Sequence, residues 1–220
     1  MKQALLFDMD GTLVDSMPFW RNLKYDVLDY YFNRTRERII LSDEEKEKIE
    51  DLSTKRALRA INAAHNSSVS YKKDCYPRLE EFYANSCKMK AGVREALEYF
   101  KNEGIKMAVC TATPERLAKI ALEAQGIDHY FKFILSAEKV KGGKFHTPIF
   151  RVAAMRLFRR RKSIALIDDA RYALKTARKA KLRTVGVPDE AKDKLTKADC
   201  DLLFSDFNEM LRYFKEKGRF

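Results

Sequence analysis

The sequence predicts a doubly wound, parallel α/β core interrupted by an inserted α-helical cap, and three observations carry that prediction. From Gly92 onward, short apolar β-like runs alternate with amphipathic helical stretches, the pattern of successive βαβ units. Residues 16 to about 90 have another texture: they are rich in Tyr, Phe, Lys, Arg and Glu, contain no glycine, and show helical periodicity without clear strands. Ahead of both, the apolar run Leu5-Leu6-Phe7 stops at Asp8-Met9-Asp10-Gly11-Thr12, the signature of a buried strand that delivers two carboxylates into a turn.

The elements follow in order. Strands are expected at 3–8, 105–111, 131–135, 163–168, 183–187 and 201–204. Thr113-Pro114 reads as an N-cap followed by proline at the first helical position, and Gly126 suits the position after that helix ends. Thr147-Pro148 repeats the start signal, and Gly104 stops the helix of Val93–Glu103. The core is assigned to 1–15 and 91–220 and the cap to 16–90, with hinges near Asp15-Ser16 and at 88–92. A doubly wound sheet gathers functional groups in the crevice beyond the carboxyl ends of its strands. The chemically distinctive residues fall at those ends.

Side chains at i and i+2 of an extended segment share a face, so Asp8 and Asp10 project into one space, while Gly11 permits a tight turn or a close backbone approach to an anion. Thr111 offers a hydroxyl and neighbouring backbone N–H groups just before a helix start, a cradle for phosphate. Lys144, in Lys141-Gly142-Gly143-Lys144, can neutralise a phosphate and a carboxylate attacking it, with Lys141 as the fallback in another register. Asp168-Asp169 close the apolar run Ile164–Ile167, and adjacent buried acids are costly unless a cation or hydrogen bonds compensate them. With Asp8 nearby, they suit a hard cation such as magnesium, which takes oxygen ligands. Each signal alone has a bland reading as loop, cap or solvent-facing charge. Their alignment at successive strand ends favours a site.

Asp8-Met9-Asp10-Gly11-Thr12-Leu13-Val14-Asp15-Ser16 resembles the first motif of the haloacid dehalogenase superfamily, most of whose members are magnesium-dependent phosphatases, and it is most similar to the branch of β-phosphoglucomutase and phosphoglycolate phosphatase. The resemblance runs through Thr111, Lys144 and Asp168-Asp169 to Val187. It departs from the family pattern at Ala112, at Phe145-His146-Thr147-Pro148, and at Ala170 and Ala173. It implies a Rossmann-like core with a helical cap over the crevice. It also implies Asp8 as nucleophile and Asp10 as general acid and base, with Lys144 holding charge. Phosphate binding falls to Gly11, Thr12, Thr111 and the backbone of Ala112, and Mg2+ to Asp8, Asp10, Asp168 and Asp169. Within the cap, Asp51–Leu58 sits where relatives place a specificity loop, which singles out Lys55 and Arg56. Arg21 and Lys24 are read with them as solvated helix charges.

Composition sets the outer bounds. A chain of 220 residues, 45% hydrophobic, can bury a sizeable core, and no run approaches the ~18 apolar residues of a membrane span. The short N-terminal apolar run leads into acids instead of a cleavage site, so a cytoplasmic location is expected. Cys75, Cys87, Cys110 and Cys200 are too scattered for a zinc site and read as reduced structural thiols; His65, His129 and His146 form no ligand cluster. The net charge of +12 includes Arg156, Arg159, Arg160, Arg161 and Lys162, read as closing a helix in preference to binding nucleic acid, since no nucleic-acid motif accompanies them.

The expected activity is magnesium-dependent hydrolysis of a small phosphorylated metabolite through an aspartyl-phosphate. A sugar-phosphate mutase using the same intermediate is the first alternative. A basic nucleic-acid-binding or scaffold protein with a vestigial site is the alternative of another class. A dehalogenase fits less well, because Asp10 and the Asp168-Asp169 pair call for metal-assisted phosphoryl transfer. The partner is a small phosphorylated metabolite, not a membrane or nucleic acid. A monomer is preferred, and the sequence does not fix the metabolite.

Overall fold

The structure, a computed structural model, describes residues 3–50, 52–189 and 195–218. The chain divides into two compact units, one of Met1–Met17 with Cys87–Phe220, the other of Pro18–Ser86.

The first unit is built on six strands: β1 (Ala4–Phe7), β4 (Lys106–Thr111), β5 (Phe131–Ser136), β6 (Ile164–Asp168), β7 (Arg183–Gly186) and β8 (Leu202–Leu203). They form one sheet in the order β5-β4-β1-β6-β7-β8, and every pairing is parallel. Helices α5 (Val93–Asn102), α6 (Glu115–Ala124), α7 (Pro148–Leu157), α8 (Arg171–Lys179) and α9 (Phe207–Lys217) complete the α/β alternation. All six strands lie within or close to the segments the sequence predicts.

β1 is central and fully buried because both of its faces are covered, which is why it reads as a continuous apolar run. Strand alternation sends Ala4 and Leu6 into a cluster with Ala108, Leu166, Phe150 and Ala173. Phe7 points the other way, 6.4 Å from the rings of both Phe100 and Phe207, and Phe100 meets Phe214 edge-on at 5.1 Å. The register aligns Phe7 with Val109 of β4 and Ile167 of β6, so three strand ends rise together. The crevice next to the switch in strand order forms there.

The ends of the predicted segments hold a feature that the helical periodicity of residues 16–90 obscures. β2 (Val14–Asp15) and β3 (Lys88–Met89) pair antiparallel, Val14 opposite Met89 and Asp15 opposite Lys88. Two-residue strands are too short for alternation to reveal, and these occupy the segments expected to be hinges. A second correction concerns Thr113, which does not cap α6. Pro114 takes the N-cap position, and the Thr113 hydroxyl is engaged elsewhere. Thr147-Pro148 does open α7, and Gly104 and Gly126 follow α5 and α6 with φ of +66° and +63°.

The second unit is helical: α1 (Met17–Thr35) enters it from the core, followed by α2 (Asp43–Ile49), α3 (Thr54–His65) and α4 (Tyr76–Glu81), the last flanked by π-helical turns at Tyr71–Cys75 and Phe82–Ser86. α2 begins with a reciprocal capping box between Ser42 and Glu45, which satisfies two orphan N–H groups. Asp74, 1% exposed, receives both Nε and Nη2 of Arg34 at 2.7 and 2.9 Å and the Ser70 N–H at 2.7 Å. Lys24 is not the solvated charge the sequence suggests. It is 2% exposed and donates to the carbonyls of Ile49, at 2.9 Å, and Glu50, where α2 ends. The last carbonyls of a helix lack partners within it, and a buried ammonium supplies one. Lys55 and Arg56 lie exposed in the first turn of α3, on a helix instead of in a loop, with Lys55 Nζ 4.8 Å from the centre of the Tyr71 ring. Asp51 lies outside the described residues.

Candidate active site

The turn after β1 is wound tightly around Met9: its carbonyl accepts the N–H groups of Thr12, Leu13 and Val14. That fold-back requires Gly11 at φ +80°, a conformation open to glycine. A Cβ at this position would lie 2.5 Å from Asp169 Oδ2, so the glycine also permits close approach of the two acidic turns. Thr12 Oγ1 donates to Asp169 Oδ1 at 3.3 Å across the same gap. Asp8 is fixed at the strand edge by its N–H, which donates to Ile167 O at 2.9 Å.

Lys144 lies at the centre of the charge distribution. It follows Gly142 and Gly143, both at positive φ, in a short turn before α7, and is only 2% exposed. Its Nζ is 2.9 Å from Asp8 Oδ1 and 2.5 Å from Asp168 Oδ2. Burial opposes its charge, but the Asp168 and Asp8 carboxylates outweigh that penalty and hold the lysine pKa well above its usual value. The Asp168 pKa is raised as well, to about 7, by burial, with Lys144 opposing and Asp8 and Asp169 adding to the rise. Its Oδ1 accepts the Ala170 N–H at 2.8 Å, which locks the turn after β6.

Asp8, Asp168 and Asp169 thus present three buried carboxylates whose nearest oxygens all lie within 4.8 Å of one another. One buried ammonium, Lys144, faces them, so acidic groups outnumber basic ones in this buried cluster. Hard oxygen donors with surplus negative charge fit a divalent cation of the magnesium type. These three residues can hold it.

The Asp10 carboxylate is not in that cluster. Ser16 Oγ donates to its Oδ1 at 2.7 Å and Thr113 Oγ1 to its Oδ2 at 2.6 Å. Thr113 is itself anchored: its N–H donates to Thr111 Oγ1 at 3.0 Å and its carbonyl accepts from Ser136 Oγ at 2.8 Å. Thr111 and Ser136 are register partners at the ends of β4 and β5. Four hydroxyl residues from separate parts of the chain therefore orient one carboxylate. Thr111 is fully buried and its hydroxyl oxygen accepts an N–H within this turn, which leaves its O–H to donate, whereas Ala112 beside it is exposed.

Sequence reasoning had no signal for Ser16, Thr113 or Ser136 as supports of Asp10. It also missed Lys90, whose Nζ donates to Gly11 O at 2.7 Å and pairs with buried Asp189 at 2.6 Å, tying the first turn to the segment after β7. An exposed aromatic pair, Phe145 and Tyr172, stacks at 4.2 Å next to Lys144.

A parallel doubly wound core whose strand ends gather three carboxylates around a buried lysine, with a fourth held apart by hydroxyls, defines a class of α/β hydrolase. Residues 5–187 match the haloacid dehalogenase-like hydrolase family, and the chain belongs to that family. Among curated relatives, it is 27% identical over 186 residues to the phosphorylated carbohydrates phosphatase of Thermotoga maritima, covering 83% of each chain. It is 24% identical over 215 residues to the phosphoglycolate phosphatase of Haemophilus influenzae, covering 93% of this chain and 95% of that one. Among solved structures, a Thermotoga maritima protein provisionally assigned as a β-phosphoglucomutase superposes with a TM-score of 0.80 at 26% identity, over 99% of this chain and 100% of that one.

Proposed function

We propose that this haloacid dehalogenase-like phosphatase hydrolyses a small phosphorylated metabolite through a phosphoryl group carried on Asp8, with magnesium in the acidic centre. The observation that carries the reading is the position of Lys144 Nζ, 2.9 Å from Asp8 Oδ1 and 2.5 Å from Asp168 Oδ2. A cation so placed partly cancels the repulsion between a carboxylate nucleophile and a phosphate dianion.

The steps follow from the chain's own residues. An Asp8 carboxylate oxygen attacks phosphorus in line; the bond from phosphorus to the ester oxygen breaks, and Asp10 gives its proton to the departing alkoxide. Water then attacks the acyl phosphate, Asp10 takes back a proton, and the bond from phosphorus to Asp8 breaks to release orthophosphate. When bound, magnesium supplies Lewis-acid stabilisation of the phosphoryl oxygens. Asp8, Asp168 and Asp169 would hold it through their carboxylates, and Asp10 through its backbone carbonyl. Gly11 and Thr12 line the phosphate position with Thr111 and the Ala112 backbone.

The relatives support the substrate class. Their names concern phosphorylated carbohydrates and phosphoglycolate, both small phosphate esters. The test is phosphate release from an aryl phosphate with magnesium, the native chain against Asp8→Asn. The reading requires turnover that Asp8→Asn lowers by a factor on the order of 10^3 or more. Equal turnover by the two proteins would rule out Asp8 as nucleophile. Orthophosphate from a sugar phosphate supports hydrolysis, whereas a phosphorylated isomer with no orthophosphate would establish the mutase alternative.

A further inference from the structure

Along α7 and just beyond its end, four arginines line a concavity. Arg151, Ala154 and Met155 on the helix, with Arg159, Arg160 and Arg161 after it, enclose a cleft of about 500 Å³. The local backbone builds it. α7 stops at Leu157, and Phe158 takes the left-handed conformation at φ +53°, where glycine is usual. The Arg159 N–H then donates back to Ala154 O at 3.2 Å, and the chain turns so that Arg159–Arg161 run back beside the helix they have just left. Only Arg156 of the basic run lies in the last helical turn, and its guanidinium lies over the Phe133 ring at 4.1 Å. The helix-closing role the sequence suggests thus does not account for the other arginines.

Among the described residues, no carboxylate pairs with Arg151, Arg159, Arg160 or Arg161. Two guanidiniums are held by carbonyls, Arg159 by Phe158 O at 3.0 Å and Arg161 by Ala180 O at 3.3 Å. The Arg159 Nε is buried with no acceptor among the described residues. Guanidiniums remain charged at any physiological pH and match phosphate oxygens in a planar fork.

We infer that this cleft is a binding site for a compact oligophosphate, such as a polyphosphate chain or the phosphate tail of a nucleotide, separate from the Asp8 crevice. Along α7 its first lining residue, Arg151, comes after Pro148, Ile149 and Phe150, and Arg159–Arg161 lie beyond the end of the helix opposite the turn that carries Lys144. The size fits a small ligand, within the usual range of about 300–1,000 Å³. Four cations converging on one concavity complement three or four negative charges on a short ligand better than the long, evenly spaced backbone of a nucleic acid.

The test is calorimetric titration of the full chain with inorganic tripolyphosphate at physiological ionic strength, comparing native protein with Arg151→Ala/Arg160→Ala and Arg151→Lys/Arg160→Lys. The alanine pair should weaken binding about a hundredfold, as the loss of two charge-assisted contacts implies. The lysine pair, which keeps charge but not the fork, should recover only part of it. Aryl phosphate turnover within about twofold of native should show that neither change disturbs the fold or the crevice. Equal binding by native and alanine-pair proteins would overturn the inference, and so would full recovery by lysine, which would mean a diffuse field. A single-stranded oligonucleotide that binds more tightly than tripolyphosphate would overturn it in favour of a nucleic-acid surface.

Discussion

Thr113 donates its hydroxyl to Asp10 at 2.6 Å, joining residues 103 positions apart, and it does so in place of capping α6. The carboxylate proposed to move protons is thereby aimed by a residue from another strand end, with Ser16 on its second oxygen. Thr113→Val should lower kcat by roughly ten- to a hundredfold, the worth of one hydrogen bond to a charged group, with little change in KM. Thr113→Ser, which restores the donor, should recover most of the loss. Steady-state kinetics on an aryl phosphate decides it; an equal fall for valine and serine would mean that the methyl group's packing matters instead.

Gly11→Ala meets two obstacles at once. The backbone at φ +80° disfavours any L side chain, and the new Cβ would lie 2.5 Å from Asp169 Oδ2, a carboxylate already held by Thr12. A cost of about 2 kcal/mol or more is expected, lowering the melting temperature by several degrees and turnover by more than about tenfold. Thermal unfolding followed by circular dichroism, with activity on the same sample, measures both. An unchanged melting temperature would show that the turn relaxes freely.

Chelation should abolish turnover, and added magnesium should restore it. Binding at Asp8, Asp168 and Asp169 should also be visible without catalysis, because a ligand at a hundred times its dissociation constant stabilises the folded state by about 2.7 kcal/mol. A magnesium-dependent rise in melting temperature of several degrees is expected for the native chain and a much smaller one for Asp169→Asn. Identical shifts in the two proteins would move the metal away from this cluster.

The thiols should be inert while the chain is folded. All four cysteines are buried and free, and burial pushes Cys75, Cys87 and Cys110 up to about 12, with Cys200 also raised. Native thiols therefore stay protonated at pH 8, and a disulfide reagent should label them only as fast as the chain opens, then all four in denaturant. An unfolded thiol ionises near pH ~8.5, so above that the unfolded state holds fewer protons than the native one, and stability should fall as pH rises from about 9 towards 12. Denaturant midpoints across that range check the sign.

Among the described residues, no helix is long and apolar enough to cross a bilayer.

Much of this molecule is legible residue by residue. The strands of the core announce themselves because a buried parallel strand is locally apolar from end to end, as Ile164–Ile167 is. Their acidic termini stand out for the same reason, since a carboxylate next to such a run has no local partner and needs a distant one. Helix boundaries are readable where proline sits in the first turn, as at Thr147-Pro148, and misread where a hydroxyl expected to cap is taken by a remote group, as at Thr113. The two-residue ribbon of β2 and β3 carries too little pattern to detect.

What the sequence determined by itself, then, was the α/β class, the helical character of residues 16–90 and the positions of Asp8, Asp10, Lys144, Asp168 and Asp169 at or beside strand ends, all of which rest on periodicities and turn chemistry that act over a few residues. Only the tertiary structure decided that Lys144 is buried between two carboxylates, that Lys90 joins Gly11 to Asp189, that Lys24 ends a helix and that four arginines share a cleft. Charge and hydrogen-bond partners depend on burial and on distances through space, and residues as far apart as Asp8 and Lys144 acquire both only when the sheet has assembled.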